Sequence, residues 1–430
     1  MNRLARPNAA LGALVALVLL ADALVRGGVD ERQVPLVVLA ALGIAWFVRP
    51  GSLRALAVLV PAGVILDMPL LTEGRGIYAT EVVLLTAVAG WASRIALGRV
   101  EPPVRPPLPS VLIVGYGIAV VVGLVFGHAD MLSSYAAVRM IRVALLACVL
   151  VVMIQPVATT TSARARFLGL WPAASLVALG LLALFGLAEF ARDTGSEPGS
   201  FYRGSVGLAN HIALVSPLAL AWALGGQGRR RMIATGVWVL AMLCLPLTAS
   251  RGALGSVLIT SAATGLLMLR GGRRRGLLLA GGALALVLVV LAVKPDIAGE
   301  SFAYKYRKTV EGDFFSTRID AWGEAGSVVA EHPLVGAGPE AWAPSVPLEL
   351  AARHGLPAAA FALAGLGMAA WAAFRRIGRG LDPTAVGVAL GLTGFLLVGL
   401  AETGIGARTT PLLVMTVVMS GLLAAQKTEE

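Results

Sequence analysis

Charge is scarce in this sequence: 14% of its 430 residues are Asp, Glu, Lys or Arg, against 57% hydrophobic. A soluble domain carries about a quarter charged residues, so a chain this apolar cannot solvate an ordinary water-facing surface. A soluble globular enzyme is excluded. Cysteine is nearly absent, and the two present, Cys148 and Cys244, both fall inside apolar blocks. They supply neither a disulfide framework nor a metal-ligand spacing. A phosphate-binding P-loop is missing too, as is any glycine-rich turn between a strand and a helix. Histidine occurs only four times, at His128, His211, His332 and His354.

What the chain does have is long blocks of Leu, Ala and Val, separated by short basic or Gly/Pro-rich punctuation. The strong blocks exceed the ~18 residues that a bilayer-crossing helix needs, and they lack the strict alternation of a barrel strand. The fold class that follows is all-α, a polytopic transmembrane bundle of about 12–14 helices. Spans fall near 8–25, 34–48, 55–71, 77–94, 109–127, 134–155, 168–190, 207–225, 232–249, 252–269, 276–293, 348–374, 384–401 and 409–425. They divide the chain into N-terminal helices over 1–190, central helices over 191–293, a long loop over 294–347 and C-terminal helices over 348–430.

The net charge of +11 could suggest nucleic acid, but its distribution reads as topology, and no nucleic-acid partner is expected. The short loops holding Arg229 to Arg231, Arg270 to Arg275 and Arg375 to Arg379 are strongly basic, which places them in the cytoplasm. Threading back with one crossing per helix puts Arg3, Arg6, Arg49, Arg54, Arg94, Arg99, Arg105, Arg164 and Arg166 on that same side. Inner loops and tails then hold 20 of the 35 Lys and Arg residues. Both termini are expected in the cytoplasm, and the loop over 294–347 outside. Seven Phe, Tyr and Trp residues give that loop the surface to pack on the bundle, and Asp320 to Glu331 can form a helix.

Further charge lies close to the expected outer face: Arg139 and Arg142, Arg203, Arg251, and Glu402 with Arg408. A single arginine at such a depth serves as a snorkelling anchor as readily as a ligand. Several arginines at one headgroup level suit a lipid-linked phosphate or pyrophosphate, whose oxygens match the guanidinium fork.

Three motifs in the second half carry a resemblance. Phe201 to Ala213 contains Arg203-Gly204, Gly207 and Asn210-His211, and Thr248-Ala249-Ser250-Arg251-Gly252 forms a turn between two apolar blocks. The third runs from Arg318 through Asp320 and Trp322 to His332-Pro333-Leu334-Val335-Gly336-Ala337-Gly338-Pro339. In order and spacing they resemble the O-antigen ligase and polysaccharide polymerase superfamily of bacterial membrane glycosyltransferases, over roughly residues 195–425.

The resemblance implies a GT-C-like bundle in the bacterial cytoplasmic membrane, with its active face outside. It implies transfer of a glycan from an undecaprenyl-pyrophosphate donor to a sugar hydroxyl on a glycan or glycolipid acceptor, with membrane lipid as surroundings and no cofactor or metal. Arg203, Arg251 and Arg318 would bind the diphosphate and stabilise the leaving group, with Arg139 and Arg142 as further candidates. The sequence departs from the family at one place. Where ligases have a histidine proposed as base, this chain has Pro344, followed by Ser345. Proline accepts no proton, so either another residue activates the acceptor hydroxyl, with Glu349, His354, Glu340, Asp320 and Glu402 as the alternatives, or catalysis depends on electrophile activation alone.

The histidines have plainer readings as well: a polar helix-terminal residue for His354, packing or capping for His332, a local hydrogen bond for His211. Asn210, His211, Asp320, His332, Glu340, Ser345, Glu402 and Arg408 complete the candidate substrate contacts. The competing function is a lipid-linked oligosaccharide flippase. Such a transporter would be expected to show charged pairs deep in several helices and an internal repeat, whereas here cations gather at one face.

Overall fold

A computed structural model describes residues 43, 46–47, 52–65, 79–98, 107–128, 135–154, 161–192, 205–248, 250–269, 281–282, 313–377, 381–401 and 409–425. A short 3-10 turn, Ser52–Ala55, leads into α1 (Leu56–Ile65). Then follow α2 (Ala79–Ala96), α3 (Leu108–Gly127), α4 (Tyr135–Ile154) and α5 (Thr161–Arg192). The central run is α6 (Ser205–Gly225), α7 (Gly228–Leu247) and α8 (Arg251–Leu269). After them come α9 (Asp313–Glu331), α10 (Val346–Ile377), α11 (Pro383–Ala401) and α12 (Thr409–Ala425). No strand occurs among the described residues. Seven of these helices, α3, α5 to α8, α10 and α11, are long and apolar enough to cross a membrane, and the protein is a polytopic all-helical bundle.

The centre of the bundle is α6, mostly apolar and buried from Leu208 to Leu224. It is enclosed by α5, α7, α8, α11 and α12. Helices surrounded by lipid gain no hydrophobic drive toward each other, so their association relies on close backbone approach and interhelical hydrogen bonds. α11 shows both devices. It turns Gly387, Gly391 and Gly394 toward Leu218, Leu214 and Ala213 of α6, and its Gly394 carbonyl accepts from Ser256 Oγ of α8 at 2.7 Å. The hydroxyls of Thr260 and Thr264 bond back to the carbonyls of Ser256 and Thr260 and so are satisfied inside their own helix.

Two contacts settle which helix ends lie together. Trp222 Nε1 near the end of α6 donates to Thr384 Oγ1 at the start of α11 at 3.2 Å, and the Arg230 guanidinium lies over the Trp222 ring at 5.8 Å. Arg375 and Arg376 close α10, which packs antiparallel to α11. The basic residues 229–231 and 375–376 therefore share one end of the bundle. Arg251 and Val346, which open α8 and α10, lie at the other.

Several expected boundaries shift. The expected spans 8–25 and 276–293 lie outside the described residues apart from 281–282, as does most of 34–48. α5 begins at Thr161, earlier than the expected 168, because Arg164 is buried within its first turns rather than left in a loop. The helix expected over Asp320 to Glu331 starts at Asp313. Most consequential for the site, α10 is not one continuous helix: Gly355 has φ 84° and ψ 165°, which breaks it two turns after its start.

Candidate functional site

The Thr-x-Ser-Arg-Gly turn is a capping device. Thr248 Oγ1 donates to the Leu245 carbonyl at 2.7 Å as α7 ends, and Ser250 Oγ accepts from the Ala253 amide at 3.2 Å as α8 begins. Chain reversal is thus completed in three residues. Arg251 is held as the first residue of α8, half-buried, at the end where the helix dipole favours an anion.

Its level in the bundle follows from the packing. Ser256 meets Gly394, and α8 and α11 run in opposite directions, so Arg251 lies about 7.5 Å beyond that contact, level with Gly399. A Cβ at Gly399 would stand 3.1 Å from Val346 Cβ. Asn210 and His211, both buried, are one turn or less above Ala213 of α6, which also faces Gly394. Among the described residues no donor reaches Asn210 Oδ1.

A second polar group lies on α10. Val346, Glu349, Leu350 and Arg353 fall on one face of its first half, the face that reaches Gly399 through Val346. Arg353 Nη1 is 2.6 Å from Glu349 Oε1, with the carboxylate side chain 10% exposed. The buried His354 meets the Tyr116 ring of α3 edge-on, centroids 6.1 Å apart. Both polar groups border the last turns of α11, one through α6 and α8, the other through α10.

The His-Pro-Leu-x-Gly-x-Gly-Pro block acts as a wedge. The Leu356 amide donates to the Pro333 carbonyl at 2.8 Å and the Ala337 amide to the Ala352 carbonyl at 2.6 Å, so the block satisfies backbone groups that the break in α10 releases. His128 Nε2 lies 2.9 Å from the Gly336 carbonyl, tying the end of α3 to the same segment. Gly336, with φ 71°, passes so close to Arg353 that a Cβ would overlap the Arg353 carbonyl carbon.

Of the expected site residues, Arg251, Asn210 and His211 are thus placed at one level, and Glu349 and His354 on α10. Ser345 is buried, its carbonyl accepting from the Glu349 amide at 2.8 Å. Asp320, His332 and Glu340 are exposed. Arg318 lies on α9, and Arg139 and Arg142 on α4, where only the backbone is described. Arg203, Glu402 and Arg408 lie outside the described residues. Sequence reasoning passed over Arg353, Tyr116 and His128. For Arg353 there was a signal, a spacing of four from Glu349 within a helix; for Tyr116 and His128 there was none, because both contacts join distant segments.

None of the curated proteins compared with the chain matches it. Residues 236–358 match the family described as O-Antigen ligase. That stretch is less than a third of the chain, and it leaves out Arg139, Arg142, Arg203, Asn210, His211, Glu402 and Arg408. It does take in the capped turn at Arg251, all of α9, the wedge and the break in α10, and over that stretch it supports the resemblance to the O-antigen ligase family.

Proposed function

We propose that the protein transfers a glycan from an undecaprenyl-pyrophosphate donor to a sugar hydroxyl, at the extracytoplasmic end of the bundle where Arg251 and Val346 lie. The observation that carries this reading is the placement of Arg251: half-buried, first in its helix, level with the end of α11 and, along the bundle, within about a turn's rise of the buried Asn210 and His211. A guanidinium there, backed by the amides of a helix N-terminus, suits a diphosphate close to the headgroups.

In the proposed step the acceptor hydroxyl oxygen bonds to the anomeric carbon of the donor sugar. The bond from that carbon to the pyrophosphate oxygen breaks, and the lipid pyrophosphate leaves with the electron pair. Arg251, with Arg203 and Arg318, stabilises the charge growing on that leaving group. The hydroxyl proton passes to Glu349, the buried carboxylate five residues after Pro344. Whether the acceptor is a glycolipid core or a second lipid-linked repeat defines ligase against polymerase.

The test is purified protein in proteoliposomes with a defined undecaprenyl-pyrophosphate glycan and candidate acceptors. A new glycosidic product with released lipid pyrophosphate is expected. Movement of intact donor between leaflets without cleavage would replace this reading with the flippase.

A further inference from the structure

Among the described residues, the segment from His332 to Trp342 is fastened to neighbouring elements by three backbone carbonyls and two amides, and one charged side chain takes part. Arg353 Nε donates to the Ala341 carbonyl at 2.6 Å. The same guanidinium, through Nη1, reaches Glu349 Oε1. A surface i,i+4 pair on a helix has no such second anchor and is solvated on both sides. Here the carboxylate is buried and the arginine is fixed in two directions by donors on a rigid planar fork, which a lysine cannot reproduce.

The break at Gly355 gives this arrangement its leverage. Two residues after Arg353 the backbone leaves the helix, and the loop segment supplies hydrogen bonds on both sides of the break, to Ala352 in the last turn of the first half of α10 and to Leu356 just beyond it. The short half-helix that carries Glu349 therefore takes its position from the loop segment, and Arg353 is the side chain that spans the two. We propose that Arg353 is a positioning residue for the transfer, orienting the Glu349 carboxylate against the backbone of the 332–342 segment. This inference rests on the glycan-transfer reading.

The test is a double-mutant cycle on the full-length protein in proteoliposomes: wild type, R353Q, E349Q and the double variant, with kcat and donor KM measured for each. R353Q is expected to lower kcat at least tenfold while donor KM changes less than threefold. In the E349Q background the same substitution is expected to change kcat less than twofold. Where E349Q leaves no measurable turnover, E349D is the background. R353K, which can satisfy only one of the two partners, is expected to recover less than a third of wild-type kcat, and it runs the same cycle should R353Q not fold. Wild-type kcat in R353Q overturns the inference. So does an equal loss in both backgrounds, which would make Arg353 a loop anchor acting independently of Glu349. A wild type that transfers nothing overturns the transfer reading together with the inference, whereas an active wild type with additive losses overturns the inference alone.

Discussion

The amide of Leu356 donates to the carbonyl of Pro333, at 2.8 Å, across 23 positions of sequence, so the first N–H after the break in α10 finds its acceptor in a loop instead of in its own helix. An unsatisfied backbone group within a membrane bundle costs several kcal/mol. The wedge from Pro333 to Gly338 is what lets α10 change direction there without that cost.

The break is expected to depend on Gly355 itself. Its φ of 84° and ψ of 165° lie in a region open almost only to glycine, and a Cβ would overlap the Leu334 carbonyl. Gly355→Ala is expected to destabilise the protein by at least ~2 kcal/mol and to release the wedge. A lower melting temperature in detergent and faster proteolysis within 332–342 would show both effects. A variant indistinguishable from wild type in both would mean that the wedge does not need the break.

Packing between α6 and α11 gives a paired prediction. A Cβ at Gly391 would overlap the Leu214 carbonyl, whereas one at Gly367, exposed on α10, would meet nothing within 4 Å. Gly391→Ala is therefore expected to cost ~1–3 kcal/mol through overpacking, and Gly367→Ala to be neutral or slightly stabilising through helix propensity. Equal melting temperatures for the two variants would contradict the close α6–α11 approach.

Hydropathy made the spans legible because a bilayer-crossing helix must be apolar over its whole length. It gave α3, α6, α8, α11 and α12 nearly residue by residue. It misjudged α5, because burial of Arg164 inside the bundle extends a helix past the point where its sequence stops looking apolar. It also missed the break in α10, since a glycine followed closely by Pro357 in an apolar run signals nothing until the wedge that occupies the break is known. At the candidate site the motif glycines and the turn around Ser250 and Arg251 were readable from local chemistry. The Glu349–Arg353 spacing was readable too, but the contact of Arg353 with Ala341 and that of His128 with Gly336 depend on segments brought together only by the fold.

The capped turn separates stability from chemistry. Ser250→Ala removes the cap on the Ala253 amide and is expected to cost ~1 kcal/mol of stability. Arg251→Ala leaves the cap in place and is expected to keep the protein folded while losing ~2–4 kcal/mol of transition-state stabilisation, roughly 30- to 1000-fold in transfer rate. Melting curves and single-substrate rates on the two variants would read this out. An Arg251→Ala protein with full turnover would remove the diphosphate role.

Orientation in the membrane is open to a direct chemical test, and burial decides where to place the probe. Ser345, the motif residue beside Pro344, is only 5% exposed, so a thiol there would react slowly on either side of the membrane. Glu340 is exposed at the Arg251 end, and Gln227 is exposed between α6 and α7 at the end bearing Arg229 to Arg231. In a background with Cys148 and Cys244 replaced by alanine, Glu340→Cys is expected to react with a membrane-impermeant maleimide on intact cells. Gln227→Cys is expected to react only after the membrane is ruptured, because basic loops stay in the cytoplasm. The opposite pattern would invert the bundle and put Arg251 on the cytoplasmic side, away from any donor presented at the outer leaflet.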